Sequence, residues 1–315
     1  MANLGEMFGA GTVATFLGLP KCDDLSKLAA RIAIVGADAC TSYPSVGAYC
    51  AGGPAAIRAG AAHYAANLGH MNFDLGGAVF PGGIDAVDAG DLPQVDGDGP
   101  GNRARIRAAV ATILDRGAVP VVLGGDDSVP IPMIEAFGGR GRQVAILQID
   151  AHIDWRDEVQ GERLGLSSTM RRASEMAHVG KIVQVGQRGI GSARLGDVDD
   201  ARAAGVSFLP ARALAVGGLA QVAAAIPEGA EVIVCLDCDA LDPAVMPAVI
   251  GRTAGGLSYW DVVEIVAAVA ARARIVGFDM VEFMPARDID GQGALVAAQL
   301  LAAVLGIVAR QGQSL

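Results

Sequence analysis

The chain is poor in aromatic residues and in charged residues. Aromatic side chains make up 4% of the 315 residues and charged side chains 18%, whereas 52% of the residues are hydrophobic. This composition excludes a disordered or low-complexity chain. The apolar share comes from Ala, Val, Ile and Leu, which suit helices packed closely on a buried parallel sheet. At this length about three quarters of the unfolded chain's surface can be buried.

Cysteine is too sparse for a disulfide framework, and the number of cysteines is odd. The five thiols are Cys22, Cys40, Cys50, Cys235 and Cys238. Such usage favours reduced thiols. The N-terminal segment has no positive region ahead of its apolar stretch and carries Glu6, so it does not resemble a secretory signal. We therefore expect a cytoplasmic protein.

Basic residues are also scarce. The sequence has 24 Lys and Arg residues against 34 Asp and Glu residues, which gives a net charge of −10. This balance excludes nucleic acid and anionic membrane surfaces as expected partners and favours a cationic small molecule. Residues 291–309 are uncharged over nearly the length of a membrane-spanning helix. Because they include Gln292 and Gln299 and lack an aromatic belt, we predict a buried C-terminal helix there.

Short β-branched runs alternate with Ala-rich stretches of helical spacing. The predicted strands are 32–35, 119–123, 144–149, 182–185, 232–236 and 275–278. The predicted helices are 54–66, 103–116, 169–177, 221–225, 259–272 and 294–310. This order predicts an α/β fold with one mostly parallel sheet and helices on both faces. Residues 76–101 are predicted to form a loop, and residues 1–315 to form a single domain, because no shift in composition marks a second one.

Four of the predicted strands lead directly into acidic residues. The motifs are Gly124-Gly125-Asp126-Asp127-Ser128, Asp150-Ala151-His152-Ile153-Asp154, Asp237-Cys238-Asp239-Ala240-Leu241-Asp242-Pro243 and Asp279-Met280-Val281-Glu282. Ligands of open parallel sheets bind beyond the carboxyl ends of the strands, so these acids converge on one rim. Carboxylates gathered there repel one another unless cations neutralise them. The alternative is that each acid only caps a following helix.

The spacing of these acids predicts a metal site. Alternate residues of an extended segment share a face, so Asp150, His152 and Asp154 can point together, as can Asp237 and Asp239. Six ligands result when Asp127 is added. They could hold two divalent ions if two of the carboxylates bridge. Oxygen ligands with a single imidazole favour Mn²⁺, with Ni²⁺ and Co²⁺ as alternatives.

The sequence resembles the ureohydrolases, the family of arginase, agmatinase, guanidinobutyrase and their relatives. The resemblance runs through the acidic motifs to Glu282, and it begins at Gly53-Pro54-Ala55-Ala56-Ile57-Arg58 and Asn72-Phe73-Asp74-Leu75-Gly76. It implies a three-layer α/β/α domain, the arginase-like fold, assembled as trimers or hexamers.

The resemblance also implies roles for the acidic residues. Asp150 and Asp237 would bridge two metal ions, Asp154 would bind one of the ions, and His152 and Asp239 would bind the other.

Glu282 would meet the guanidinium group of the substrate. Glu282 and Asp154 are therefore the candidate catalytic residues. Trp155, next to Asp154, either forms a wall of the substrate site or serves only in packing.

Two features depart from the family pattern. The family has Gly-Gly-Asp-His-Ser where this chain has Asp127 in the position of the metal-binding histidine. Five carboxylates among the six ligands then carry −5 against +4 from two divalent ions, which leaves the site more negative than usual. Many agmatinases also have a proton-shuttling histidine ahead of an Arg-Arg pair, but residues 166–172 contain no histidine.

The sequence therefore supports two hypotheses of different classes. The first is metal-dependent hydrolysis of a guanidino compound: an agmatine-like molecule, a guanidino acid, guanidine, or an alkylated guanidine or biguanide such as metformin. The second is a non-catalytic subunit that supports a catalytic paralogue in a hetero-oligomer. A third reading, a haloacid-dehalogenase-type phosphatase built on Asp237 and Asp239, leaves the Asp150 motif without a purpose.

Overall fold

Eight strands form one sheet in the part of the chain that the computed structural model describes, residues 13–191 and 193–311. They are β1 (Ile32–Ala37), β2 (Ala86–Asp91), β3 (Val119–Gly124), β4 (Val144–Ile149), β5 (Val179–Val185), β6 (Ser207–Leu209), β7 (Glu231–Asp237) and β8 (Arg274–Val281). The strands lie in the order β2-β1-β3-β8-β7-β4-β5-β6, and every adjacent pair is parallel. Most of the segment used for the secretory-signal prediction, residues 1–12, lies outside the described residues.

The α-helices follow the strands along the chain. They are α1 (Gly53–Ala61), α2 (Gly99–Asp115), α3 (Pro130–Glu135), α4 (Thr169–Ser174), α5 (Leu195–Ala203), α6 (Ala211–Gly217), α7 (Ala220–Ala225), α8 (Tyr259–Arg272) and α9 (Gln292–Arg310). Helix α8 has the predicted bounds, and a reciprocal capping box between Ser258 and Asp261 determines where it starts. Asp261 N donates to Ser258 Oγ at 3.1 Å, and Ser258 N donates to Asp261 Oδ2 at 2.8 Å.

Helices cover both faces of the sheet. Helices α1 and α6 to α9 pack on one face with Ala145, Leu147 and Ile149 of β4. Helices α2 to α5 pack on the other face with Val144 and Ile146 of the same strand. Burial on both sides explains why the central strands are apolar at almost every position. The predicted three-layer α/β/α architecture is confirmed, and all five cysteines are free thiols.

The prediction of a loop over residues 76–101 is wrong at its centre, where β2 lies. Its sequence, Ala-Val-Asp-Ala-Gly-Asp, has little β propensity. Pairing with β1 and the buried carboxylate of Asp88 hold it in place. Asp88 Oδ2 accepts hydrogen bonds from Arg58 Nε at 2.7 Å and from Phe16 N at 2.8 Å. Tertiary contacts therefore make a strand that the local sequence does not indicate.

Several short elements also differ from the sequence prediction. The edge strand β6 has only three residues, and helices α3, α5 and α6 were not predicted. Helices α1 and α4 end earlier than expected, at Ala61 and Ser174, and α1 continues as a 3₁₀ turn over Ala62–Asn67. Elements this short have weak periodic patterns, so tertiary packing decides where they form.

Helix α9 is the buried C-terminal helix that the sequence predicts. By length and composition alone its 19 residues could cross a membrane, but 78% of its most apolar 18-residue stretch is buried inside the protein. Helix α1 crosses it at very short range. A Cβ atom on Gly60 would lie 2.4 Å from the carbonyl oxygen of Ala294. The absence of a side chain at Gly60 therefore permits the contact that covers α9.

The first prediction tests this helix contact. Gly60→Ala should lower the free energy of unfolding by about 1–3 kcal/mol, because the added methyl group forces the two helices apart. Gly196→Ala is the matched control, since Gly196 also lies in a helix, α5, and an added Cβ would meet no atom within 4 Å beyond its chain neighbours and the backbone of its own helix. That variant should be neutral or slightly more stable. Urea unfolding of both variants measures the difference, and equal stabilities would contradict the proposed role of Gly60.

Candidate metal centre

The acidic motifs meet at the carboxyl ends of four adjacent strands. Strands β3, β8, β7 and β4 are neighbours in that order at the centre of the sheet. Because parallel strands end at the same edge, motifs that are distant along the chain come together there. Asp127, Asp150, Asp237 and Glu282 are all buried, with no more than 4% of their surface exposed.

The first ligand cluster consists of Asp150, His152 and Asp239. Each residue offers a ligand atom, and these atoms lie within 4.8 Å of one another. His152 Nδ1 is 3.4 Å from Asp150 Oδ1 and 3.0 Å from Asp239 Oδ2. Asp239 Oδ1 also accepts a hydrogen bond from Ala151 N at 3.2 Å, which ties together the loops after β4 and β7. Two carboxylates and an imidazole at this spacing can bind one divalent ion.

The second ligand cluster consists of Asp127, Asp150 and Asp154, whose ligand atoms also lie within 4.8 Å of one another. Asp150 therefore belongs to both clusters. Asp127 Oδ2 is buried and has no hydrogen-bond partner among the described residues. A buried carboxylate oxygen without a partner is unfavourable unless a cation or a proton compensates it. The donor set thus fits a pair of divalent ions that share Asp150.

Asp237, the other predicted bridge, lines the same cavity but belongs to neither cluster. Its Oδ1 accepts a hydrogen bond from Asp239 N at 2.6 Å. This contact orients the two acids that follow β7 relative to each other. A bridging role for Asp237 stays a prediction.

Glu282 lies beside the ligand clusters at the end of β8. Tyr49 Oη donates to its carboxylate, 2.6 Å from Oε1 and 2.8 Å from Oε2, and Asp127 N donates to Oε1 at 2.8 Å. Glu282 therefore connects the loop before α1 to the loop after β3. Sequence analysis missed Tyr49, whose only signal is its closeness to the Gly53-Pro54 motif.

Burial and mutual repulsion disfavour the charged forms of most acids in the site. Burial, together with the charges of Asp154 and Asp150, raises the pKa of Asp127 well above its usual range. Burial also raises the pKa of Glu282 to about 8, although the hydrogen bond from Tyr49 acts in the opposite direction. These carboxyls hold protons more tightly than exposed ones do, so the site gains from a bound cation.

The pKa values of Asp150 and His152 shift so that the charged form of each is favoured, because the two side chains face each other. Burial would raise the pKa of Asp150, but hydrogen bonds with His152 and Asp154 and the charge of His152 lower it to about 2. Burial would lower the pKa of His152, but hydrogen bonds to Asp150 and Asp239 raise it to about 12. Asp150 is therefore the carboxylate that keeps its charge at the centre of the site.

The clusters open on a cavity of about 260 Å³. Its lining residues are Tyr49, Asp127, His152, Ile153, Asp154, Trp155, Arg156, Leu166, Ser167, Gly191, Asp197, Asp237, Asp239, Ile250, Gly251 and Glu282. Trp155 forms part of the wall, and the guanidinium carbon of Arg171 lies 5.9 Å from the centre of its ring. Arg156, the arginine in this lining, forms an ion pair with Asp197, which neutralises its charge.

Two site residues have left-handed backbone conformations that are unusual for residues with side chains. The φ angle is 44° at Asp154 and 64° at Glu282. Each such conformation costs about 1–3 kcal/mol and persists only where the surroundings enforce it. The backbone at Asp154 and Glu282 is thus strained, and contacts with the surrounding residues hold it in this conformation.

Arg188 holds the loop after β7, and the sequence offers no motif that reveals this. Its Nη2 donates to Asp239 O at 2.7 Å and to Leu241 O at 3.1 Å, and its Nη1 donates to Ala240 O at 3.0 Å. The guanidinium group therefore satisfies three successive carbonyls of the segment that carries Asp239.

This fold and this arrangement of acids define a ureohydrolase-type protein, and the chain belongs to the arginase family, whose family model matches residues 30–306. The family resemblance inferred from the motifs is confirmed. So is the enzyme class, hydrolases that act on carbon–nitrogen bonds of linear amidines.

Individual relatives support the assignment over most of the chain. An N(1)-aminopropylagmatine ureohydrolase of Thermus thermophilus is 34% identical over 236 residues, which cover 74% of this chain and 77% of that protein. A guanidinobutyrase of Pseudomonas aeruginosa is 29% identical over 318 residues, or 96% of this chain and 94% of that protein. The solved proclavaminate amidino hydrolase from Streptomyces clavuligerus aligns with a TM-score of 0.81 at 27% identity, covering 96% of this chain and 99% of that chain.

The second prediction concerns stability against pH. The raised pKa values of Glu282 and His152 mean that the folded chain binds more protons than the unfolded chain. Their stabilising contribution is complete at low pH and is lost as pH rises towards the folded-state values. Asp150, with its lowered pKa, contributes no change near neutrality. Chelator-treated protein should therefore lose thermal stability from about pH 5.5 to about pH 8.5.

Calorimetric melting with EDTA or with Mn²⁺ measures this dependence. Added Mn²⁺ should raise the melting temperature more at the higher pH, because deprotonated ligands bind metal better. Glu282→Gln, which cannot titrate, should show a shallower slope in EDTA. A melting temperature in EDTA that rises over the same interval would contradict the prediction.

Proposed function

We propose that this chain is a metal-dependent amidinohydrolase that cleaves a guanidino compound to urea, or a substituted urea, and an amine. The observation that carries the proposal is the shared cavity: two ligand clusters that have Asp150 in common open on the same space as Glu282. A guanidinium group paired with Glu282 would lie next to both clusters. Membership of the arginase family supports the same reaction class.

The roles of the residues follow from their positions. The two ions would be held by Asp127, Asp150, His152, Asp154, Asp237 and Asp239. Divalent ions in such a site activate water and stabilise the charge that develops on the substrate. Glu282 accepts charge-assisted hydrogen bonds from the guanidinium and thereby orients it. Asp127 N and Tyr49 Oη keep the Glu282 carboxylate in place, and Trp155 closes the side of the cavity next to Asp154.

The cavity favours a small cationic substrate. It measures about 260 Å³, its acids outnumber its cations, and its arginine, Arg156, is paired with Asp197. The substrate guanidinium must share Glu282 with Tyr49 or displace its hydrogen bond. We propose a guanidino acid, an agmatine-like compound, guanidine, or an alkylated guanidine or biguanide such as metformin. The relatives named for aminopropylagmatine and guanidinobutyrate hydrolysis support this class.

Other properties are proposed from the sequence and the family resemblance. The native ions are Mn²⁺, with Ni²⁺ and Co²⁺ as alternatives that also bind carboxylate and imidazole ligands. We further propose a single domain over residues 1–315, a cytoplasmic location, and assembly as a trimer or hexamer or with a paralogous subunit.

The third prediction tests the activity directly. Purified chain reconstituted with Mn²⁺, Ni²⁺ or Co²⁺ should release urea or a substituted urea from at least one member of a guanidino-compound panel, and chelator should abolish the release. Glu282→Gln should retain the fold and metal content, because the amide oxygen still accepts from Asp127 N and Tyr49 Oη. Its turnover should fall about tenfold or more, since losing a charge-assisted contact costs about 1.5–3 kcal/mol.

Glu264→Gln is the matched control, because Glu264 is exposed on α8 and should leave turnover unchanged. Unchanged turnover in Glu282→Gln would remove Glu282 from the substrate site. No product from any compound with any of the three metals would count against the enzyme proposal.

A supporting, non-catalytic subunit is the second candidate function. The residue that favours it is Asp127, which stands where the family resemblance implies a metal-binding histidine. Asp127 has a buried oxygen without a hydrogen-bond partner and shares its cluster with two further carboxylates. Without a second ion their mutual repulsion would destabilise the folded site. In that case the chain would hold at most one ion and act only when mixed with a catalytic paralogue.

The fourth prediction separates the two functions through Asp127→His. In a working enzyme the neutral ligand makes the metal pair more positive, so the acid limb of the pH–rate profile should move to lower pH. The metal preference should move towards Ni²⁺, which favours nitrogen ligands. In a supporting subunit the variant would gain metal without changing the rate of the mixed complex. Full turnover by the isolated wild-type chain with two ions bound would eliminate the supporting role.

A further inference from the structure

Two buried glutamines lie side by side beneath the ligand clusters. Gln148 of β4 and Gln184 of β5 are register partners in the sheet. Their exposed fractions are 1% and 0%. Each lies between two fully buried apolar residues of its strand, Leu147 and Ile149 in β4 and Val183 and Val185 in β5. Buried amides in such surroundings require hydrogen-bond partners, so the contacts of these two residues show what they do.

Gln148 contacts Asp150, which belongs to both clusters, and Asp154, which belongs to the second. Its Nε2 donates to Asp150 Oδ2 at 2.7 Å and to Asp154 Oδ2 at 2.6 Å. The two N–H groups of the amide are thus both used, one on the carboxylate that the clusters share and one on its neighbour. An amide in this place brings two mutually repelling carboxylates together without adding charge.

Gln184 determines which way the amide of Gln148 points. Gln184 Nε2 donates to Gln148 Oε1, so the nitrogen of Gln148 must face the two acids. Gln184 Nε2 also donates to Ile153 O at 2.9 Å, directly ahead of the left-handed backbone of Asp154. It therefore supports Asp154 by two routes, through the amide of Gln148 and through the backbone.

We propose that Gln148 is the positioning residue that orients Asp150 and Asp154 for metal binding, and that Gln184 positions Gln148. The proposal rests on the metal pair of the proposed function and adds the residues that preorganise it. Outer residues that orient metal ligands contribute about 10- to 100-fold to metal affinity or activity. The sequence departs from apolar patterning at these two strand positions because their amides serve the site.

The fifth prediction measures metal binding in variants that keep the shape of glutamine without its hydrogen-bonding groups. Gln148→Met should weaken Mn²⁺ binding about 10- to 100-fold in titration calorimetry. Gln184→Met should weaken it less, because the amide of Gln148 remains. The double variant should lose less than the product of the two single losses, since the residues act partly through one another. Gln221→Met, whose amide contacts Gly218 O, is the control and should bind as wild type.

The visible absorption of bound Co²⁺ gives a second measurement that a loss of stability alone would not change. Its bands should shift in Gln148→Met, because the carboxylates change orientation, and stay unchanged in Gln221→Met. If Gln148→Met does not fold, Gln184→Met decides: weaker Mn²⁺ binding supports the proposal, and wild-type binding overturns it.

Mn²⁺ binding and urea release by the wild-type chain distinguish a failure of this proposal from a failure of the proposed function. A chain that binds Mn²⁺ but releases no urea would overturn the enzymatic function, and the variants would still test the positioning role. Wild-type affinity and an unshifted Co²⁺ spectrum in Gln148→Met, or fully additive losses in the double variant, would overturn the positioning role alone. A wild-type chain that binds neither Mn²⁺ nor Co²⁺ would overturn both the enzymatic function and the positioning role.

Discussion

The site depends on repulsion between buried carboxylates that the sheet brings to one edge. Asp127, Asp150 and Asp154 place their oxygens within 4.8 Å of one another, and Asp150 belongs to a second cluster as well. Like charges at this distance destabilise the folded chain unless protons or cations compensate them. Divalent ions bound as proposed would compete with protons for the same carboxylates, which would link metal binding, pH and folding in one equilibrium.

The remainder of the fold supplies the rigidity that this arrangement requires. Strands β4 and β7 are buried on both faces, so the acids that follow them start from fixed positions. Arg188 ties down the carbonyls after β7, and the left-handed backbones of Asp154 and Glu282 are held by their surroundings. The apolar core thus offsets the local cost of gathering charge, as expected where strain is stored at a functional site.

Two residues bear directly on the electrostatic balance of this site. Asp127 adds a carboxylate to the proposed ligand set and makes that set more negative. Tyr49 donates to both oxygens of Glu282, the residue proposed to receive the substrate cation. The two residues meet at Glu282, since Glu282 also accepts a hydrogen bond from the backbone N–H of Asp127. The loop after β3 therefore connects the proposed metal ligand Asp127 to the proposed substrate-binding residue Glu282.

The sequence alone determined the parts of this protein that depend on local pattern. Apolar runs ending in acid located β3, β4, β7 and β8 and the acids that follow them. The expected alternation of side chains in an extended segment is wrong at both ligand motifs. The backbone bends at residues 151–152 and is left-handed at Asp154, and Cys238–Ala240 form a 3₁₀ turn. Only the tertiary structure decided what depends on partners remote in the chain: the pairing that makes β2 a strand, the contact of Tyr49 with Glu282, and the glutamine pair beneath the acids. Local pattern reports burial and periodicity within a few residues, whereas these features arise when strands far apart in sequence become neighbours in the sheet.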